Sequence, residues 1–258
     1  MQTSMKLLLT APPDQCRAAL RFGLPVAHVA YRVGGGPHLF RASIPVSVRG
    51  GLMVIDNTGF DGRGEAGPFC QEVLRECMAR GYDGILCDFE GHPLQVLAQA
   101  VRTLGELTKK RGWPLYVTEA YAPFSDSAIA LIPSALSGGS LQQRLQEAVE
   151  RFGAARVALA VERGAEDFFL PSPTGQGMPL TREELRQRLE ERAPSVFFSS
   201  ELCAHYFTYM SRQNGAHFVL FDDAGSIRKK LQVARNLGIS SAVLAYPQVD
   251  DLLPELLK

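Results

Sequence analysis

The sequence predicts an α/β fold, a single (β/α)8 TIM barrel spanning residues 1–258 with a small extra β-element before the last strands. Three observations carry that prediction. Short apolar runs alternate with amphipathic segments along the whole chain, the order expected of strands and helices around a parallel sheet. The dinucleotide fingerprint of an open doubly wound sheet is missing, because the glycines of RVGGGP at 32–37 run into a proline and no helix, which marks a loop. No low-complexity linker, internal repeat or charge run divides the chain into two domains.

Strand candidates follow in order at 26–31 (VAHVAY), 44–48 (IPVSV), 52–56 (LMVID), 84–89 (GILCDF) and 115–119 (LYVTE). Further candidates lie at 128–132 (AIALI), 156–161 (RVALAV), 217–221 (HFVLF) and 241–245 (SAVLA). Nine candidates for eight barrel positions leave one over, and 44–48 is the expected outsider. Helices are marked by apolar stripes: Phe69, Val73, Leu74, Cys77 and Met78; then Leu94, Leu97, Val101 and Leu104. Leu141, Leu145, Ala148, Val149 and Phe152 repeat the spacing, as do Ile227, Leu231 and Ala234. Residues 163–181, rich in Gly, Pro and aromatics, predict a long insertion over the barrel mouth, and 194–221 an additional β-element turning at Asn214-Gly215.

Composition narrows the function classes. With 258 residues, 46% of them hydrophobic, the chain can bury a large core. Lys+Arg 27 against Asp+Glu 27 leaves no basic excess for a nucleic-acid backbone or an acidic membrane surface, so neither is expected as a partner. Five scattered cysteines without a C-x-x-C pair predict packed, reduced thiols and neither a disulfide framework nor a thiolate zinc site. The five histidines lack metal-ligand spacing, no G-x-S-x-G elbow occurs, and neither a metal nor a cofactor is expected. The opening MQTSMKLLLTAPPDQ holds only three leucines in a row, too few for a signal peptide or a membrane span, so a cytoplasmic or spore-associated location is expected. Oligomeric state is not encoded in any of these features.

Chemistry concentrates in YDGILCDFE at 82–90, an apolar strand that gains acids at its C-terminal end. Residues two apart share a face of a strand, so Leu86, Asp88 and Glu90 point one way while Ile85, Cys87 and Phe89 point the other. With Phe89 against the helices, both acids enter the barrel mouth, where active sites of this architecture sit. Two close carboxylates raise one proton affinity, as a general acid near neutral pH requires; pairing with Arg32 or Arg163 would instead order the rim. Other polar residues at strand C-termini, taken as substrate-binding candidates, are Asp56, Asn57, Glu119, Tyr121, Glu162 and Tyr246. Glu119 and Glu162 are also the expected outside partners of Asp88.

The run D-G-I-L-C-D-F-E at 83–90 resembles the D-G-x-D-x-D-x-E strand of glycoside hydrolase family 18, the chitinase-like barrels. Phe218 to Ile227 (FVLFDDAGSI), then Lys230-Leu231 and Leu237-Gly238-Ile239, resembles the passage into the last strand in the family's spore peptidoglycan-hydrolase branch. The resemblance implies a hydrolase of β-1,4-linked N-acetylglucosamine polymers, peptidoglycan of spore cortex or chitin-like, and hence a carbohydrate polymer or oligosaccharide as partner. It implies a retaining mechanism assisted by the substrate's acetamido group, with Glu90 protonating the glycosidic oxygen and Asp88 orienting the acetamido N–H. In the expected insertion at 163–181, Phe168 and Phe169 are placed either to stack on a sugar face or to pack on the barrel rim.

Departures from the family pattern are equally specific. Leu86 occupies the position of an aspartate, the sixth-strand run Ala130 to Ala135 lacks the expected tyrosine, and Ala245 or Tyr246 stands in place of a floor tryptophan. Trp113, before LYVTE, belongs at the opposite face of the barrel. The alternative function is therefore a catalytically inactive barrel that binds glycan or a protein partner.

Overall fold

The computed structural model describes residues 5–43, 48–171, 175–211 and 215–258. The chain opens with β1 (Lys6–Ala11), α1 (Cys16–Leu20), β2 (Val26–Gly34), β3 (His38–Arg41) and β4 (Leu52–Asp56). It continues through α2 (Ala66–Arg80), β5 (Gly84–Asp88), α3 (Gln95–Lys109), β6 (Leu115–Thr118), β7 (Ala128–Pro133), α4 (Leu141–Phe152) and β8 (Val157–Val161). An insertion follows, made of β9 (Ala165–Leu170), β10 (Met178–Pro179), α5 (Arg182–Arg192), β11 (Phe197–Ser199), β12 (Ala204–Ser211) and β13 (Gly215–Phe221). The chain ends with α6 (Ala224–Asn236), β14 (Ser241–Ala245), α7 (Tyr246–Val249) and α8 (Leu253–Leu256).

Eight parallel strands form a closed ring in the order β1, β2, β4, β5, β6, β7, β8, β14, and β1 pairs with both β2 and β14. Alternation sorts their side chains into two shells. Leu8, Ala27, Leu52, Val54, Leu86 and Tyr116 pack together inside the barrel. Their neighbours Leu9, Met53, Ile55, Ile85, Cys87 and Val117 face the surrounding helices. The helix stripes meet that outer shell: Phe69, Val73, Leu74 and Cys77 of α2 are buried. Met78 departs from its expected place and is 56% exposed, because it lies about 100° around the helix from the centre of the buried stripe. Gly81, at φ 71°, ends α2 in the left-handed conformation that a residue without Cβ adopts freely.

Two strand expectations are corrected. The first barrel strand is KLLLTA at 6–11, whose three leucines were weighed only as a possible leader. The run 217–221 is not in the ring but belongs to β13 of the inserted sheet. Both read as short apolar segments; only closure of the ring, which needs a strand between β14 and β2, distinguishes them. The candidate at 44–48 falls at 44–47 outside the described residues, and Val48 lies in no strand. Within the nine-stranded sheet, the strand that lies outside the ring is β3, antiparallel to β2 through pairs such as Tyr31 with Arg41.

The described parts of 163–181 and 194–221, expected as a lid and a separate β-element, contribute to one antiparallel sheet of order β10-β9-β13-β12-β11, and Asn214 of the expected turn lies outside the described residues. One face packs on α5 through Leu185, Phe207, Val219 and Phe221. Phe168, Ala204 and Leu220 pack on the other. The base of this sheet is joined to the barrel by Asp222. Its backbone N–H donates to Gly164 O at 2.8 Å, while its carboxylate accepts from Gly164 N at 3.0 Å, Ser226 Oγ at 2.7 Å and Lys230 Nζ at 2.7 Å. Asp223 caps α6 reciprocally with Ser226. The motif at 222–230 therefore links both ends of the insertion to α6.

Lys230 and Asp222 are 1% and 2% exposed, so removing one partner leaves a buried charge unpaired, a loss of about 3 to 5 kcal/mol. Lys230→Met is expected to lower the free energy of urea unfolding by that amount, whereas Asp222→Asn with Lys230→Met recovers part of it, because the amide keeps an acceptor for Gly164 N without the unpaired charge. A single variant as stable as the parent contradicts this account.

Candidate active site

The ring's C-terminal ends form the mouth, and strand parity decides which residues reach it. Continuing the inward series Leu52, Val54 brings Asp56 inside; Leu86 is followed by Asp88 and Glu90, Ala158 and Ala160 by Glu162, Val243 by Ala245. Asp56 and Asp88 are register partners on β4 and β5, about 4.8 Å apart across the sheet. Three of the eight expected site residues are thereby turned elsewhere. Glu119 follows Thr118 on the outward side and pairs with Arg144 and Arg151 of α4. Tyr121 is fully buried against Phe89 and Phe124, and its hydroxyl accepts from Leu94 N at 3.0 Å at the start of α3. Tyr246 is buried near Phe22 as the first residue of α7, so the mouth-facing residue at the end of β14 is Ala245.

Backbone pairing of β5 with β6 ends at Cys87 and with β4 at Asp88. Beyond it, side chains replace the ladder. The Asn57 amide donates to Glu90 O at 3.1 Å and accepts from Glu90 N at 2.9 Å. From the other neighbouring strand, Thr118 Oγ1 donates to Phe89 O at 2.6 Å. Phe89 itself is 1% exposed, anchored edge-on to Tyr121 at 5.4 Å. Gly91, at φ 78°, then turns the chain away. Thus the acid-bearing segment is fixed while Asp88 and Glu90 stay accessible from the mouth.

Electrostatics couple the carboxylates. Asp88 holds its proton above the ordinary carboxylate range, first because the mouth desolvates it and then because Glu90 and Asp56 add negative charge. Glu162 is also shifted up, by desolvation and by Asp88, with Lys230 opposing. Asp88 therefore lies among charges from its own strand's exit, Glu90, and from two other strand ends, Asp56 and Glu162. Arginine does not neutralise the cluster: Arg163 pairs with Asp251 at 2.8 Å and bonds Gln248 O, and among the described residues Arg32 makes no ion pair. A cleft of about 380 Å³ runs from Glu162 toward the inserted sheet, bounded by Glu166, Leu220 and residues 135–137. Phe168 is buried in the sheet beside Phe218, while Phe169 is on the opposite face against His217.

Sequence inspection missed Thr118 and Ser134. Thr118 ends β6 on the inward side, a placement legible in LYVTE from the same alternation that identified Asp88. Ser134, fully buried after β7, accepts from Glu162 N at 3.1 Å and so fixes that residue's backbone. Its position past the strand gave no such signal.

Because Asp88 binds its proton more tightly folded than unfolded, it subtracts stability as pH rises from its ordinary range through the raised value. Asp88→Asn is expected to raise the melting temperature at pH 7, and the gain should vanish near pH 3, where both states carry the proton. A variant less stable than the parent at pH 7 contradicts the crowding described.

No protein-family model matches the sequence. Among solved structures the fold is similar to a chitinase from Chromobacterium violaceum ATCC 12472, with TM-score 0.75, 15% identity and 98% of each chain covered. It is also similar to the spore cortex-lytic enzyme SleL of Bacillus megaterium QM B1551, at TM-score 0.71 and 13% identity over 100% of this chain and 75% of that one. A glycoside hydrolase family 18 N-acetylglucosaminidase from Paenibacillus barengoltzii matches at TM-score 0.68 and 12% identity, covering 97% and 99%. The chain thus has the barrel fold of chitinase-like glycoside hydrolases and spore cortex-lytic enzymes, at a sequence distance where the likeness establishes the fold.

Proposed function

We propose that the protein is a glycoside hydrolase acting on β-1,4-linked N-acetylglucosamine oligomers or polymers by a substrate-assisted retaining mechanism. What supports the proposal is the alternation that turns Asp88, at the end of β5, and Glu90, two residues beyond it, to the side of the inward Leu86, in a fold similar to that of a chitinase. Glu90, exposed to the mouth, protonates the glycosidic oxygen. Asp88 accepts a hydrogen bond from the acetamido N–H, aims its carbonyl oxygen at the anomeric carbon and balances the positive charge that forms. The acetamido group thereby serves as nucleophile, and water later opens the cyclic intermediate with Glu90 acting as base.

Charge decides between the polymer classes. Asp56, Asp88, Glu90 and Glu162 have no ion-pair partner among the described residues, so the mouth repels anions. Neutral chitin-like oligomers fit this field better than glycans bearing lactyl or peptide carboxylates.

A second function, the inactive binding barrel, is favoured by Leu86, Ser134 and Ala245. Leu86 is 2% exposed and packed inside the barrel beneath Asp88. Ser134 is buried, and Ala245 offers the mouth no aromatic floor. Loss of one oxyanion-type donor slows such reactions about 100- to 1,000-fold, so turnover is expected to be slow but measurable.

Purified protein is expected to cleave an N-acetylglucosamine hexamer, and Glu90→Gln to abolish cleavage while keeping the melting temperature and oligomer binding. Equal rates of cleavage for parent and Glu90→Gln would show that the activity does not come from Glu90, and binding without cleavage in the parent would establish the inactive barrel instead. A neutral hexamer should be cleaved faster than a carboxylate-bearing peptidoglycan fragment of equal length, and the ratio should shrink with added salt. Leu86→Asp is expected to lower stability by about 1 to 3 kcal/mol without raising turnover, because its carboxylate would enter the packed interior. Increased hydrolysis in this variant would show that the site accepts the missing aspartate.

A further inference from the structure

We infer that Asn57 is a positioning residue for Glu90, and that the amide on β4's exit is what holds the acid at its working depth in the mouth. The inference rests on the hydrolase function proposed above. Glu90 lies two residues past the end of β5, where a chain leaving a sheet ordinarily gains freedom. Both its backbone hydrogen-bonding groups nevertheless meet one side chain, with Asn57 accepting at 2.9 Å and donating at 3.1 Å. Two bonds in one amide plane fix the peptide's direction as well as its position. They extend the β4–β5 ladder by a rung beyond the Asp56–Asp88 pair.

The clamp is itself held. Asn57 O accepts from Phe60 N at 3.0 Å, closing a turn, and Thr58 N donates to Asp56 Oδ1 at 2.9 Å. Asp56 thus anchors the turn that presents Asn57, in addition to its charge beside Asp88. Thr118 restrains the preceding carbonyl from the opposite strand, and Phe89 is locked in the core. The remaining restraint on Glu90 comes from Asn57 alone among the described contacts. An amide is the group this task requires: aspartate at 57 would set a second acceptor against the Glu90 carbonyl, and alanine would leave both backbone groups to water. Displacing a proton donor by a fraction of an ångström weakens transfer in the transition state more than it weakens substrate binding.

The test uses the full chain, an N-acetylglucosamine hexamer as substrate and amide hydrogen exchange as an activity-independent readout. Asn57→Ala is expected to lower kcat at least tenfold with KM within twofold, and to speed exchange of the Glu90 amide while amides of β5 stay protected. Asn57→Asp, near-isosteric, keeps the acceptor and loses the donor; it is expected to lower kcat several-fold with the fold intact. Unchanged kcat in Asn57→Ala with the Glu90 amide released would overturn the inference while leaving the hydrolase function standing. A KM rise that accounts for the loss, or a loss confined to a variant that melts early, would make Asn57 a structural residue and overturn it as well. A parent protein that binds the hexamer without cleaving it would overturn the hydrolase function itself, and the catalytic meaning of the clamp with it.

Discussion

Each side chain on a barrel strand points into the ring or out against the helices, and closing the ring at β1 fixes that choice for the whole chain. The interior is already filled by residues such as Leu8, Val54, Leu86 and Tyr116, so the next inward residues emerge above the packed layers into the mouth. Asp56, Asp88, Glu90 and Glu162 are placed there by counting in twos from the core. The same count sends Glu119 to the arginines of α4 and Tyr121 and Tyr246 into the helical layer. The core's packing and the site's chemistry are therefore one constraint: a register slip of a single residue would exchange Asp88 for Phe89 and disrupt both.

The inserted sheet depends on a different interaction. Asp222 is bonded to the residue before β9 and to α6 just after β13, so the insertion leaves and re-enters the barrel at a single buried point. Its ion pair with Lys230 is sheltered from water and also brings a positive charge near Glu162, where it opposes the desolvation that raises that group's proton affinity. A device that holds the sheet in place thereby also tunes the wall of the mouth. The cleft between them, reaching from Glu162 to Glu166, exists because the sheet is held at this point.

Carboxylate crowding and the Asn57 clamp have opposite effects on the fold. Like charges around the desolvated carboxylates of Asp88 and Glu162 push apart and favour opening of the mouth. Hydrogen bonds from Asn57 and Thr118, with Phe89 seated in the core, keep the segment closed against that push. Neutral partners suit this task, since a cation beside Asp88 would oppose its raised proton affinity.

Much of this was legible in the sequence because it depends on local periodicity. The alternation in GILCDFE gave both the core-facing Phe89 and the mouth-facing Asp88 and Glu90, and the helical spacing of Phe69, Val73 and Cys77 gave the packing of α2. Long-range pairing was not legible. KLLLTA and HFVLF are similar apolar runs, and their places, one in the ring and one in the inserted sheet, are set by partners distant in sequence. Likewise Asn57, a plain polar residue after a strand, acquires its role only because β4 and β5 lie side by side and bring its amide to Glu90, 33 residues away. The sequence by itself determined which residues alternate and which carry charge; the tertiary structure decided which strand ends meet, because hydrogen-bond partners between strands leave no periodic mark in the chain.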